Sequence, residues 1–418
     1  MRVTQLFTKT RKEAPADETS KNAQLLIRAG FVHKEMAGVY SFLPLGLRVL
    51  NKIADIVRDE MNSLGGQEIT MTALQVKERY EATNRWSDEV VDNWFKTKLA
   101  NGTEVGLGFS HEENLTPIVM EYVNSYKDLP LAVYQIQTKF RNELRSKSGI
   151  MRGREFLMKD MYTYALTQAQ HDELYEKIKQ GYVSIYDRLG IGDKTFVTFA
   201  SGGSFSKFSH EFQTLSEAGE DTIYLDRSKK IAVNKEVFTD EVISELGLNK
   251  NELEEVKGIE VGNIFSLGTK FTLPFSMKVQ NENGEEIVPI MGCYGIGVSR
   301  IMGTIAELLS DDKGLVWPIN IAPFKVVICR LGNEEQVVKQ TDELYQELTN
   351  SGIEVLYDDR DVRPGEKFAD ADLLGVPYRV VISAKTVQSS VYEVKNRIES
   401  ESKMLNRQEL DTMLSSKA

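Results

Sequence analysis

The chain has 418 residues, a formal net charge of −11 and two cysteines, Cys293 and Cys329. That length holds roughly two or three domains with buried cores, and two cysteines exclude a disulfide framework or a four-cysteine zinc site and suit a reducing compartment. The acidic balance disfavours a surface that coats nucleic acid, but phosphate contacts need only a local basic patch.

No apolar run is long enough to span a bilayer, so no membrane association is expected. Met1–Lys12 has the basic character of a transit segment, but Glu13, Asp17 and Glu18 follow at once. Nothing reads as removable, and the expected location is cytoplasmic.

Leu47, Leu50, Ile53, Ile56, Val57 and Met61 recur at helical spacing across residues 46–64, and Gly65 and Gly66 end that helix before a strand at Glu68–Met71. Residues 107–114 read as a strand end running into a helix. Glu112 and Glu113 at that helix start suit the helix dipole as caps.

Residues 139–160 read as strand, basic loop and strand. Arg141 and Glu143 alternate on the first strand and so share a face. Arg145, Lys147, Arg152 and Arg154 populate the turn, and Phe156 opens the return strand. A guanidinium for phosphate, a carboxylate for an exocyclic amine and a ring for stacking together suit a nucleoside triphosphate, although charged hairpin tips are also ordinary solvated turns.

An amphipathic helix follows at Gln168–Leu189, then a glycine- and serine-rich turn at Thr198–Phe212 that enters a strand. Residues 220–258 are polar, with a helical stretch at Thr239–Leu246. Pro318 and Pro323 mark a hinge. Beyond it, strands Lys325–Cys329, Glu354–Tyr357 and Tyr378–Ser383 alternate with helices Glu334–Thr349 and Lys367–Leu374, which implies a parallel or mixed sheet covered by helices.

Residues 139–160 resemble motif 2 of the class II aminoacyl-tRNA synthetases, in the form found in the prolyl enzymes. Ala37–Leu50 resembles motif 1 and Met291–Arg300 resembles motif 3, in the family's order, and the resemblance runs from near residue 1 to about Arg397. It implies an α+β fold: a class II antiparallel sheet flanked by helices over 1–316, then a C-terminal α/β anticodon-binding domain over 317–418. The motif 1 helix would build a homodimer interface.

The implied activity is ATP-dependent conversion of L-proline to prolyl-adenylate and transfer to tRNA(Pro). That chemistry needs two aligned anions more than covalent help from protein. On the matching positions, Arg141 would contact the α-phosphate and the substrate carboxylate, Glu143 the adenine, and Arg300 the γ-phosphate, making these the catalytic set. Arg152 and Phe156 complete the ATP site. Proline would bind Ser110, Glu112, Arg141, Ser204, His210 and Gly295, with Ser110 standing where the family usually has threonine.

Asn263 stands where the family usually has histidine and would support the site floor by hydrogen bonding. ATP would bring Mg2+, with no ligands assignable from sequence, and no protein-bound zinc is expected because Cys293 alone cannot supply the threonyl enzymes' set. Arg363 and Lys367 would contact the anticodon. The interval that holds a large editing domain in many bacterial prolyl enzymes is here only the short segment 221–258, which implies a free-standing editing partner. Retention of Arg141, Glu143, Phe156 and Arg300 argues against a synthetase-like accessory subunit.

Overall fold

The computed structural model describes residues 1–144, 148–203 and 205–415, so Arg145, Lys147 and Ser204 lie outside the described residues. The chain forms two compact units, one of Met1–Met36, Tyr40–Lys52 and Ile305–Ala418, the other of Ala37–Val39 and Ile53–Thr304.

The second unit is built on a nine-stranded sheet. Its strands in chain order are β1 (Gln67–Glu68), β2 (Leu131–Phe140), β3 (Glu155–Ala165), β4 (Thr195–Ser201), β5 (Phe208–Leu215), β6 (Asp221–Asp226), β7 (Ile231–Asn234), β8 (Glu254–Gly268) and β9 (Ile290–Gly297). In space the order is β5-β4-β7-β6-β8-β9-β3-β2-β1, with β5 also pairing β8. The β1–β2 and β4–β7 pairings are parallel and the others antiparallel.

Helix α1 (Pro44–Ser63) starts on a proline, whose fixed φ and missing N–H suit a first turn, and Gly65 at φ 83° stops it. Helix α2 (Glu112–Tyr122) carries Glu112 and Glu113 in its first turn. Helix α3 (Gln168–Arg188) is capped by Thr167, whose hydroxyl accepts the Gln170 N–H at 3.2 Å. Tyr182 and Tyr186 of α3 pack on Phe212 of β5, with ring centroids 4.9 and 5.5 Å apart. Helix α4 (Val298–Leu309) follows β9 directly.

The first unit holds a five-stranded sheet of β10 (Val326–Leu331), β11 (Val355–Asp358), β12 (Tyr378–Ser383), β13 (Tyr392–Asn396) and β14 (Lys403–Leu405), ordered β11-β10-β12-β13-β14. The first three are parallel, as the sequence pattern implies, and helices α5 (Glu335–Asn350) and α6 (Pro364–Leu374) connect them. The antiparallel β13 and β14 add an edge the pattern did not show.

The N-terminal residues belong to this unit and not to the 1–316 block expected from sequence. The Tyr357 N–H donates to the Met1 carbonyl at 2.8 Å, and the Thr4 and Thr10 hydroxyls donate to Asp359 and Asp370, each at 2.7 Å. The expected hinge is packed: Trp317 is buried and its indole N–H donates to the Leu374 carbonyl at 3.1 Å. Lys367 is also buried, 2% exposed, with its ammonium on the Arg330 and Asp358 carbonyls at 2.6 and 3.1 Å. It ties the ends of two strands together and is not presented to an anticodon. Arg363, the residue before α6, is exposed.

Lys159 of β3 points toward α3 in the second unit, fully buried. Its ammonium donates to the Tyr294 carbonyl at 3.0 Å and to the Tyr182 hydroxyl, and no carboxylate pairs with it among the described residues. Burial pushes it down to about 7 from an ordinary 10.5. Between those values the unfolded chain binds more protons than the folded one, so this group makes stability rise with pH over that window. Lys159→Met is expected to flatten the stability–pH slope between pH 7 and 9 by up to about 1.4 kcal/mol per pH unit. Urea unfolding at several pH values checks this, and parallel slopes for variant and wild type would contradict it.

Candidate active site

Two cavities open on one face of the nine-stranded sheet and share Arg141, Glu260 and Arg300. One, of about 280 Å³, is walled by Ser110, Phe156, Phe205, Phe265, Cys293 and Gly295 among others. The other, of about 410 Å³, is more polar, with Glu143, Arg152, Glu211, Glu220, Asn234 and Glu236 in its wall. Strand alternation selects these side chains. Phe156, Met158 and Asp160 of β3, Cys293, Gly295 and Gly297 of β9, and Asn263 and Phe265 of β8 take the cavity face.

Arg141 follows the last residue of β2, and its N–H donates to the Arg154 carbonyl at 2.8 Å. Its guanidinium lies 5.3 Å from the centre of the Phe156 ring and has no hydrogen bond or ion pair among the described residues. Burial, and then the nearby Arg300, lower its pKa. A cation held without a counter-charge where two cavities meet is arranged for an anion.

Glu143 does not continue the strand beside Arg141, because its N–H turns back to the Arg141 carbonyl at 2.8 Å. Its carboxylate reaches only the polar cavity, where it pairs with Arg152 at 2.9 Å, and Arg152 also pairs with Glu220. Arg154 is used structurally, donating to the Glu143 and Ala37 carbonyls at 3.0 and 2.7 Å. Arg300 donates to the Met151 carbonyl at 2.8 Å and to the Glu260 carbonyl and carboxylate at 2.7 and 3.0 Å. At Gly295 a Cβ would meet the protein only at 3.8 Å or beyond, so packing does not require glycine there, and the space it leaves belongs to the cavity.

Behind Ser110 and Cys293 lies a buried charge cluster. Glu112, 0% exposed, accepts from the Ser110 hydroxyl at 2.6 Å, the Cys293 thiol at 3.3 Å and Arg85 at 3.0 Å. Arg85, 1% exposed, also holds Glu113 at 3.1 Å and is surrounded by the rings of Phe109, Phe205 and Phe271. Burial opposes the charge on Glu112, but Arg85 and the Ser110 hydroxyl outweigh it and hold the carboxyl below its ordinary value. Burial pushes Glu113 up to about 7, with Arg85 opposing and Glu112 adding to the rise. One arginine therefore keeps Glu112 ionised at the expense of Glu113.

A second pair, Lys139 and Asp160 at 2.7 Å, abuts this cluster through His111. Lys139 donates to His111 Nδ1 at 3.1 Å and His111 Nε2 donates to the Thr72 carbonyl at 3.1 Å. Burial and then Lys139 lower His111 to about 4, so it is neutral.

In the polar cavity Glu211 and Glu260 lie on either side of Asn263, whose amide donates to them at 3.5 and 3.1 Å. Between Phe212 and Gln213 the β5–β8 register slips by a residue, which brings Glu260 to the cavity face three positions from Asn263. Asn263 thus hydrogen-bonds in the floor as its position implies, while its Oδ1 is buried without a partner. Burial and then Glu260 push Glu211 up to about 8. Among the described residues no three His, Cys, Asp or Glu side chains group to hold a metal ion.

Arg141, Glu143, Arg152, Phe156, Arg300, Ser110 and Gly295 all line one or both cavities, and Glu112 stands one layer behind Ser110. His210 is a correction. Its neighbour Glu211 takes the cavity face, so His210 points the other way, onto Tyr175 of α3, whose hydroxyl is 2.8 Å from Nδ1. Burial and then Lys179 lower it to about 4. Arg85, Asp160, Glu211, Asn234 and Glu260 join the site only through packing and strand pairing and carry no local sequence motif that marks them.

Removing Arg85 would strand two buried carboxyl groups, a loss of about 3–5 kcal/mol, whereas Glu113→Gln replaces a group that burial has already pushed toward its neutral form. Chemical unfolding at pH 7 is expected to show Arg85→Met losing several times more stability than Glu113→Gln. Equal losses would contradict the sharing of one guanidinium.

Residues 95–308 match the tRNA synthetase class II core domain (G, H, P, S and T), and residues 325–417 match an anticodon binding domain. The proline–tRNA ligase of Rickettsia akari is 35% identical over 412 residues, 95% of this chain and 96% of that protein. The proline–tRNA ligase of Phenylobacterium zucineum is 36% identical over 432 residues, 97% and 98% of the two chains. In fold, the chain is similar to a crystal structure of prolyl-tRNA synthetase from Cryptosporidium parvum complexed with L-proline and AMP. That match has a TM-score of 0.76 at 18% identity and covers 94% of this chain and 73% of the other. The chain belongs to the prolyl-tRNA synthetases of class II, the proline–tRNA ligases.

Proposed function

We propose that the two substrates of proline activation meet at Arg141, with proline in the smaller cavity and the triphosphate reaching into the polar one. The observation that carries this is the uncommitted Arg141 guanidinium at the junction. In the reaction a proline carboxylate oxygen attacks the α-phosphorus, the bond to the β-phosphate breaks, and pyrophosphate leaves with the electron pair. No side chain has to gain or lose a proton. The obstacle is bringing two anions together, and one guanidinium touching both lowers it.

The proline ring would sit among Phe205, Phe265 and Cys293, with its ammonium at Ser110, drawn by the ionised Glu112 behind it. The purine would stack on Phe156 and meet Glu143. Arg152 and Arg300 would take the outer phosphates, Arg152 exchanging its carboxylate partners for phosphate oxygens. The Mg2+ that accompanies ATP would be held by Glu211 and Glu260, carboxylate oxygens that suit a hard cation, with the Asn263 amide between them turned over to offer Oδ1 in place of Nδ2. It would neutralise phosphate charge.

Transfer to tRNA(Pro) would engage the C-terminal domain, where exposed Arg363 remains the candidate anticodon contact. We also infer a homodimer, from the motif 1 resemblance of Ala37–Leu50, and a cytoplasmic setting, in keeping with two free, buried thiols.

Arg141→Ala is expected to lower proline-dependent pyrophosphate exchange by about 10²-fold or more, while His210→Asn leaves the KM for proline within about twofold. An Arg141→Ala loss under about threefold in folded protein would overturn the assignment. Because one missing methylene is worth only about 1–3 kcal/mol in a pocket, alanine should also be activated slowly. Residues 221–258 are two strands of the sheet joined to the next by a short helical connection packed on Phe199 and Phe208, so alanyl-tRNA(Pro) is expected to persist with the purified enzyme and clear only when a free-standing deacylase is added. Deacylation by the enzyme alone would contradict this.

A further inference from the structure

We propose that the short segment Asp221–Gly258 is itself a wall of the nucleotide cavity, and that its Asn234 is a positioning residue for Glu211. The proposal rests on the reading of Glu211 and Glu260 as holders of the nucleotide's cation.

The segment is integrated into the sheet. β7 pairs in parallel with β4, Ile231 opposite Val197 through Val233 opposite Phe199, and β6 pairs with β8 from Asp221 opposite Gly258 to Leu225 opposite Glu254. Val233, Val237, Val242, Ile243 and Leu248 form an apolar cluster against Phe199 and Phe208. Those two rings belong to the strands that flank the glycine-rich turn lining the smaller cavity. Removing the segment would therefore expose β4 and loosen both substrate pockets.

Asn234 ends β7, is buried, and uses its two amide atoms for different tasks. Its Oδ1 accepts the Glu236 N–H at 3.2 Å and caps the turn that follows. Its Nδ2 donates to Glu211 Oε2 at 3.0 Å. Gln213 donates to the same oxygen at 2.9 Å and to Asp221 at 2.7 Å. Two neutral donors thus fix Oε2, and Oε1 is left on the side of Asn263 and Glu260. No cation pairs with Glu211 among the described residues, so its orientation beside Glu260 is set by these neutral donors. The amides of Asn234 and Gln213 hold a carboxylate where a divalent cation on a nucleoside triphosphate can use it.

Asn234→Asp separates the two tasks, since it keeps the capping oxygen and replaces the donor with an acceptor. In the full-length protein, calorimetric titration with ATP in Mg2+ is expected to show Kd raised at least fivefold for Asn234→Asp. The Mg2+ concentration for half-maximal pyrophosphate exchange should rise in parallel, and the KM for proline should stay within twofold. Asn234→Ser, which keeps a capping oxygen but cannot reach Glu211, should behave the same way and stands in if the aspartate variant misfolds. An unchanged ATP Kd in both variants, or a proline KM that rises with it, would overturn the proposal. Glu211→Gln tells the two readings apart. If it weakens Mg2+-dependent ATP binding while the Asn234 variants do not, only this inference falls. If Glu211→Gln has no effect, the cation reading and this inference fall together.

Discussion

Consecutive residues of a strand cannot serve the same face of a sheet, and this constraint decides which side chains of the nine-stranded sheet can do chemistry. The face against α3 is a layer of aromatic rings with polar groups among them, such as buried Lys159 and half-buried His210. The opposite face carries the cavities. Thus Asp160 and Glu211 line cavities while Lys159 and His210, one residue away, do not. The register slip between β5 and β8 is the exception that brings Glu260 onto the cavity face.

On that scaffold, charge is distributed unequally. Arg85 is committed inside the protein, bound to two carboxylates that see no water. Its effect is to keep Glu112 ionised behind the wall formed by Ser110. Arg141 is the reverse case, half-buried at the junction of the cavities and without a hydrogen bond or ion pair among the described residues. An uncompensated cation of this kind costs stability, and such costs are tolerated where a ligand will supply the missing charge. In the polar cavity the crowding is of acids: Glu211 and Glu260 flank Asn263, and burial with Glu260 nearby pushes the Glu211 carboxyl up to about 8.

Much of this was legible in the sequence where the functional residues are close together in the chain. Arg141, Glu143, Arg152 and Phe156 lie on one hairpin, and Gly295 and Arg300 in one strand–helix turn, so motif and site coincide. What was lost depended on distant pairing or on strand phase. Arg85 reaches Glu112 from a different element, and only the packed structure joins them. His210 sat in a recognisable loop, but which residue of Ser209, His210 and Glu211 faces the ligand is a matter of register. Lys367 looked like an RNA contact because charge is visible in a sequence and burial is not. The N-terminal residues read as part of the first block because their hydrogen bonds to Tyr357, Asp359 and Asp370 span more than 340 positions.

The short segment in the place of an editing domain illustrates the same limit. Its composition reads as a polar excursion, yet β7 enters the middle of the sheet and delivers Asn234 to a buried carboxylate. A segment can be small and still complete a site.

A crystal structure with a non-hydrolysable prolyl-adenylate analogue would show whether both substrates meet at Arg141. The bridging group is expected against the Arg141 guanidinium, the prolyl ring among Phe205, Phe265 and Cys293, and the purine on Phe156, with His210 still against Tyr175. An analogue bound with Arg141 turned away, or with His210 in contact with the prolyl ring, would contradict this arrangement.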